Sequence, residues 1–240
     1  MSTCTPVSIT FKRTDSIPSY IEQSCREIAD YFSLKQNQTK IDLSNFCNVI
    51  KTSKRWTIQN LKNLLDGWRK IITKTISGKW VDLVYNAYSS CQSTKDIHKL
   101  RGMITEALVI AAHGGAKVLG MKEYGWGALV IISKDKKSAE VKYVCTKQQE
   151  NDCSRRSTVD FGFWNGETAL FYECKASPAG IGCKEVMYMN ELRANLNKHK
   201  INHELMFMCP EDVVSVRQKL KKMGKEKEFI PIGYNNLFLE

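Results

Sequence analysis

The sequence predicts an α/β chain of the α+β kind, with β-strands and helices in one core and a helical lobe ahead of it. Three observations carry this. Up to Tyr88 the apolar residues recur mainly at helical spacing. Between Ala128 and Cys174 they alternate every second residue, in runs joined by turn-forming segments. From Cys183 onward a helical stretch, an apolar strand, a second helix and a last strand follow one another. At 240 residues there is ample length to bury a core. The organisation reads as a helical lobe over residues 1–92 and a sheet-bearing core over 93–240.

After a polar start, Ser16 or Pro18 opens a helix whose Tyr20, Ile21, Cys25, Ile28, Ala29 and Phe32 share one face. A short helix follows Asp42-Leu43, and Lys51 to Arg55 read as a basic turn. Thr57 is the expected N-cap of a longer helix, in which Ile58, Leu61, Leu64, Leu65, Trp68, Ile71, Ile72 and Ile76 recur with Lys62, Arg69, Lys70 and Lys74 between them. Its basic side would grip DNA or form a dimer contact, and as a solvated face it needs neither. Gly78 interrupts the pattern, which resumes from Trp80 to Tyr88.

Thr94 is placed to cap a helix from Lys95 to about Ala112, closed by Gly114-Gly115. The stretch GMITEALVIAAHGG is apolar nearly all round, the mark of a buried helix, and Glu106 is its single acid. A buried carboxylate needs a partner or a metal. The sequence offers Glu106 three environments: Arg101, a narrow polar side with Gly102, Thr105 and His113, or a bound cation.

Strands are expected at Ala128 to Ser133 and Ala139 to Thr146, joined by a polar turn. Lys147 to Ser157 is a polar loop ending in Arg155 and Arg156, which could contact phosphates. Then Val159, Phe161 and Phe163 alternate with Asp160 and Gly162, the turn Trp164-Asn165-Gly166-Glu167 follows, and ALFYECKA runs back as the second strand of a β-hairpin. Strand alternation puts Phe171, Glu173 and Lys175 on one face. The segment Ser177 to Gly182 breaks the chain. A helix from Cys183 to His199, a strand from His203 to Cys209, a basic helix opened by Pro210-Glu211-Asp212 and a strand from Phe229 to Tyr234 complete the order.

Thirty-six Lys and Arg against twenty-five Asp and Glu leave a net charge of +11, which favours association with polyanions, nucleic acid foremost. Nine scattered cysteines without a Cys-x-x-Cys pair support neither a zinc ribbon nor a thioredoxin-type site, and fit a reducing interior. The start MSTCTPVSITFKRTDS lacks a secretion-signal pattern, and no apolar run reaches membrane-spanning length. A soluble, intracellular (cytoplasmic) protein without a membrane partner is expected. The phosphate-binding Gly-x-x-x-x-Gly-Lys-Ser/Thr and the Gly-x-Ser-x-Gly elbow are both absent from the sequence.

Two carboxylates on neighbouring strands stay ionised only with a cation between them, or else one takes up a proton. Asp160 on one strand, then Glu173-Cys174-Lys175 on the next, resembles the core signature of the PD-(D/E)xK nuclease superfamily, with Val159 standing where the signature has proline. Glu140-Val141-Lys142 repeats the letters with Asp135 ahead, but Asp135 lies in a polar turn, so that copy reads as a solvated edge.

The resemblance implies a restriction-endonuclease-like core, with a central mixed β-sheet flanked by helices, and a catalytic set of Asp160, Glu173, Lys175 and Glu106. Mg²⁺, with Mn²⁺ able to substitute, would be held by Asp160, Glu173, the backbone carbonyl of Cys174 and Glu106. Lys175 would orient or deprotonate the attacking water. The helix after the Glu-x-Lys strand would bring Lys184, Asn190, Arg193, Asn195 and Asn197 to the nucleic acid beside Arg155 and Arg156. A chain of this size with its own helical lobe looks most like a stand-alone, sequence-specific restriction endonuclease acting on duplex DNA, and a palindromic target would imply a homodimer. Structure-specific, repair, transposon-associated or RNA-directed nucleases of the same fold, and a non-catalytic nucleic-acid-binding protein, are the alternatives.

Overall fold

The computed structural model describes residues 6–238 except 77, 136 and 146–154. Strand β1 (Ser8–Arg13) comes first, where a polar start was expected. Its Ile9 and Phe11 alternate with Thr10 and Lys12, and only Ile9 is fully buried, as suits an edge strand. Five helices follow: α1 (Ser19–Phe32), α2 (Lys40–Thr52), α3 (Leu61–Ile72), α4 (Trp80–Ser89) and α5 (Thr94–Ala112). Local caps explain where they begin. The Thr39 side chain accepts from the Asp42 N–H at 3.0 Å, so α2 starts earlier than expected and runs thirteen residues. Asn60 takes the Thr57 N–H at 2.7 Å, holding residues 57–60 in a turn and delaying α3 to Leu61. Ser93, one residue before the expected cap, accepts from the Asp96 N–H at the start of α5.

The sheet strands are β2 (Tyr124–Lys134), β3 (Lys137–Glu140), β6 (Thr158–Trp164), β7 (Thr168–Cys174), β8 (Asn202–Met208) and β9 (Ile230–Ile232), with α6 (Cys183–Lys198) and α7 (Val213–Lys222) between the last of them. The strand expected over 139–146 divides into β3 and a separate short β4 (Tyr143–Val144), which pairs with β5 (Arg155–Arg156). Position 146 of the expected strand and positions 147–154 of the expected loop lie outside the described residues. Strand order is β1-β2-β6-β7-β8-β9, with β3 also on β2. Pairings from β1 to β7 are antiparallel and those of β7-β8-β9 parallel, so the sheet is mixed and the fold is α+β.

Apolar residues separate onto the two faces of the sheet. Tyr172, Cys174, Met206 and Met208 join one core with α1 to α5, in which Phe32, Phe46, Trp80 and Tyr88 are fully buried. Phe171, Leu205 and Phe207 join the other, with Val186, Met189 and Leu192 of α6 and Val216 of α7. Alternation along β7 and β8 thus feeds both helical layers. The helices of residues 19–89 share their core with α5 and a sheet face, and β1 is hydrogen-bonded to β2. Among the described residues no helix is long and apolar enough to cross a membrane.

Candidate active site

The β6–β7 hairpin is set by its turn, where Asn165 Oδ1 accepts the Glu167 and Thr168 N–H groups at 2.9 and 2.8 Å and Gly166 adopts φ +99°. Its register pairs Trp164 with Ala169 and Phe161 with Tyr172, which sets Asp160 opposite Glu173. There the backbone ladder gives way to a side chain: Asp160 Oδ2 accepts the Cys174 N–H at 2.7 Å. The same carboxylate's Oδ1 accepts from Arg156 Nη2 at 2.9 Å. Glu173 is completely buried, and its Oε2 accepts from the same Arg156 nitrogen at 2.7 Å while Oε1 accepts from Lys175 Nζ at 2.5 Å. Arg156 therefore bridges the two acids.

Both helical layers add an acid. Glu185, buried in the first turn of α6, places Oε1 3.4 Å from Lys175 Nζ while its Oε2 accepts the Gly182 N–H at 3.1 Å. Glu106, on α5, accepts from Trp126 Nε1 at 2.5 Å, and lies near enough to Asp160 and Lys175 to feel both charges. Arg101, offered by the sequence as its partner, instead donates to the Ile50 carbonyl. Arg13 stacks over the Trp126 ring, 4.7 Å from its centroid.

Four carboxylates, Glu106, Asp160, Glu173 and Glu185, thus face two cations, Arg156 and Lys175. Burial, reinforced by the Asp160 charge, raises the Glu173 pKa to about 7 even with Lys175 and Arg156 beside it. Burial and then Asp160 push Glu106 well above the ordinary carboxylate range. For Lys175 burial acts downward, but Glu173 and Asp160 outweigh it and hold the ammonium above its usual value. Arg156 responds in the same way.

Carboxylate oxygens are the donors that Mg²⁺ and Mn²⁺ take, and a divalent charge among these acids would offset the repulsion from Asp160 that adds to the rise of Glu173 and Glu106. In chemistry and charge Asp160, Glu173 and Glu106 fit such an ion. In arrangement, the guanidinium of Arg156 stands between Asp160 and Glu173, where a cation would bridge them. Among the described residues no group of three acids, histidines or cysteines is disposed to hold a metal.

Of the expected site residues, Asp160, Glu173 and Lys175 come together, with Glu106 close by. Cys174 contributes its peptide N–H to Asp160. Arg156 is drawn into the acids and is only 16% exposed, whereas Arg155, its exposed neighbour in β5, lies across from Val144. Lys184 lines a cleft of about 570 Å³ with Lys142, Tyr143, Arg155, Arg156 and Thr158. Further along α6, Arg193 is held by Asn190, by Glu228 and by the Phe229 ring, 4.5 Å from its guanidinium carbon. Asn195 bonds back to Glu191, and Asn197 is exposed. Among the described residues, no hydrogen bond joins Asn190, Arg193, Asn195 or Asn197 to the acids.

The other Glu-x-Lys is the solvated edge expected of it: Glu140 pairs with Lys142 and both are exposed, while Asp135 sits in the turn with φ 50°. Sequence reasoning passed over Glu185, Trp126 and the bridging role of Arg156. An acid three residues after the helix-opening Gly182 was the one signal for Glu185.

No family model matches the chain, and no curated protein matches it. Among solved structures it is similar to the crystal structure of protein VC1899 from Vibrio cholerae, at 10% sequence identity and a TM-score of 0.37. That match covers 96% of this chain and 56% of the other, so the chain spans little more than half the length of that protein.

Proposed function

We propose that this chain is a metal-dependent phosphodiester hydrolase of the PD-(D/E)xK kind, built on a restriction-endonuclease-like core, with DNA as its substrate. One observation carries the reading: Asp160, Glu173 and Lys175 meet at the end of the β6–β7 hairpin, beside Glu106, in a buried cluster with more acids than cations. Asp160, Glu173, Glu106 and the Cys174 carbonyl would hold Mg²⁺, or Mn²⁺ in its place. When bound, such an ion supplies a water of lowered pKa and polarises the phosphoryl oxygen. Lys175 orients that water and stabilises charge on the phosphate; Glu173 and Asp160 keep its ammonium protonated, which favours this role over proton abstraction. Glu173 and Glu185 fix its direction. The net charge of +11 supports a polyanionic substrate, and action on a palindromic site would make the protein a homodimer, as in a type II restriction endonuclease.

A second reading has its own observation. All four carboxylate oxygens of Asp160 and Glu173 already have donors, as in a purely structural ion-pair cluster, and the protein would then bind nucleic acid without cutting it. Plasmid DNA incubated with the purified chain separates the two. An enzyme gives fragments only with Mg²⁺ or Mn²⁺, discrete if it reads sequence and smeared if it does not, and Asp160→Asn and Lys175→Met lower the rate at least about a hundredfold while circular dichroism stays unchanged. Retained cleavage by either folded variant overturns the assignment; DNA retarded equally in EDTA and never shortened selects the binder.

A further inference from the structure

Arg156 is poorly accommodated for a residue so deep in an ion-pair cluster. One of its nitrogens, Nη2, serves both Asp160 and Glu173, while its Nε is buried without a hydrogen-bond partner among the described residues. A buried polar group left unpaired carries its full desolvation penalty. The same side chain lines the cleft of about 570 Å³ whose walls also carry Arg155, Lys142 and Lys184 and the hydroxyl-bearing Ser157 and Thr158. Four cationic residues and three that carry hydroxyls, Tyr143, Ser157 and Thr158, thus line the cleft, and one of the four, Arg156, is the guanidinium shared with the acids. Arginine presents its donors as a planar fork that matches a tetrahedral oxyanion through two parallel bonds, Nε–H among them. An oxyanion in this cleft would give the Nε–H the acceptor it lacks.

Resting on the metal-dependent reading above, the geometry points to a phosphoryl-type oxyanion site in this cleft that is coupled to the cation site through Arg156. With the cleft empty, Arg156 occupies the position between Asp160 and Glu173 and excludes a divalent ion. An oxyanion bound by Arg155, Lys184 and the Arg156 fork draws the guanidinium toward the cleft, uncovers Asp160 Oδ1 and Glu173 Oε2, and admits the ion. Coupling of this sort is reciprocal, so each ligand tightens the other by the same factor. The chain would thereby load its metal when a phosphate is present and stay shut otherwise.

Calorimetric titration of the full chain with Mn²⁺ tests this, with sulfate as the tetrahedral dianion because its manganese salt stays soluble, and with chloride matching the ionic strength of the sulfate-free arm. Wild-type protein is expected to bind Mn²⁺ at least several-fold more tightly with sulfate present. Arg156→Gln is expected to bind at least about tenfold more tightly than wild type without sulfate, and to lose the sulfate dependence. An unchanged wild-type affinity with sulfate overturns the coupling, and needs no variant to fold. Equal Mn²⁺ affinity in wild type and folded Arg156→Gln overturns the exclusion by Arg156. In both of those cases Mn²⁺ binding that disappears in Asp160→Asn leaves the metal-dependent reading standing. Absence of Mn²⁺ binding in wild type and in Arg156→Gln, with and without sulfate, overturns both together.

Discussion

His113, at the C-terminal end of α5, donates to or accepts from the Tyr172 hydroxyl at 3.1 Å and packs among Tyr124, Phe161 and Phe163. Burial lowers its pKa to about 4, well under the value near 6.5 of the unfolded chain. The folded state therefore binds fewer protons than the unfolded one between those limits. Its contribution is complete above pH 6.5 and is lost as the pH falls toward 4, on the order of 2 kcal/mol for a half-buried ring. Urea midpoints at pH 5 and pH 7 should differ more for wild type than for His113→Gln; equal differences would remove His113 as a source of acid sensitivity. Single residues were also the scale at which the sequence told least. Asp160, Glu173 and Lys175 could be picked out because a hairpin carries them at fixed offsets. Arg156 was singled out only together with Arg155, as a phosphate contact; its bridging role could not be read, because it depends on the side chain reaching Asp160 and Glu173, and nothing in SRRS distinguishes the two arginines.

The β6–β7 hairpin was readable end to end, since alternation, an Asn-Gly turn and the apolar pairs all agree on one register. Strand β1 was not, although Ile9 and Phe11 alternate, because a six-residue edge strand with one fully buried side chain leaves little pattern to find. Its partnership is nevertheless specific. The Phe11 ring covers Gly125 and Gly162, which lie opposite each other on β2 and β6, so closely that a Cβ on Gly162 would come within 2.5 Å of the ring. Gly162→Ala should cost about 1–3 kcal/mol by overpacking. In a Phe11→Leu background the added cost should shrink, because the two positions are in contact. Denaturant melts of the four proteins in that cycle measure it, and a strictly additive result would mean that Phe11 does not cover the glycine.

At the scale of the whole molecule, the charge balance makes a prediction independent of catalysis. In EDTA, a chain that sets four basic side chains against phosphates should lose about a hundredfold in affinity for a short DNA duplex between 50 and 200 mM salt. A flat salt response, measured by fluorescence anisotropy, would mean that the positive charge is spent on solubility alone. The α+β class and, apart from the short β4 and β5, the order of elements from α5 to β9 followed from periodicity, which survives folding wherever one face of an element is buried. How the N-terminal helices join the sheet did not, because the pairing of β1 with β2 is a long-range choice with no local mark. Ser8 lies opposite Ser133, so five helices form one excursion between two adjacent strands. That arrangement has a consequence in time. As the chain leaves the ribosome, β1 is made first and must wait, its ladder empty, until all of α1 to α5 and β2 have emerged.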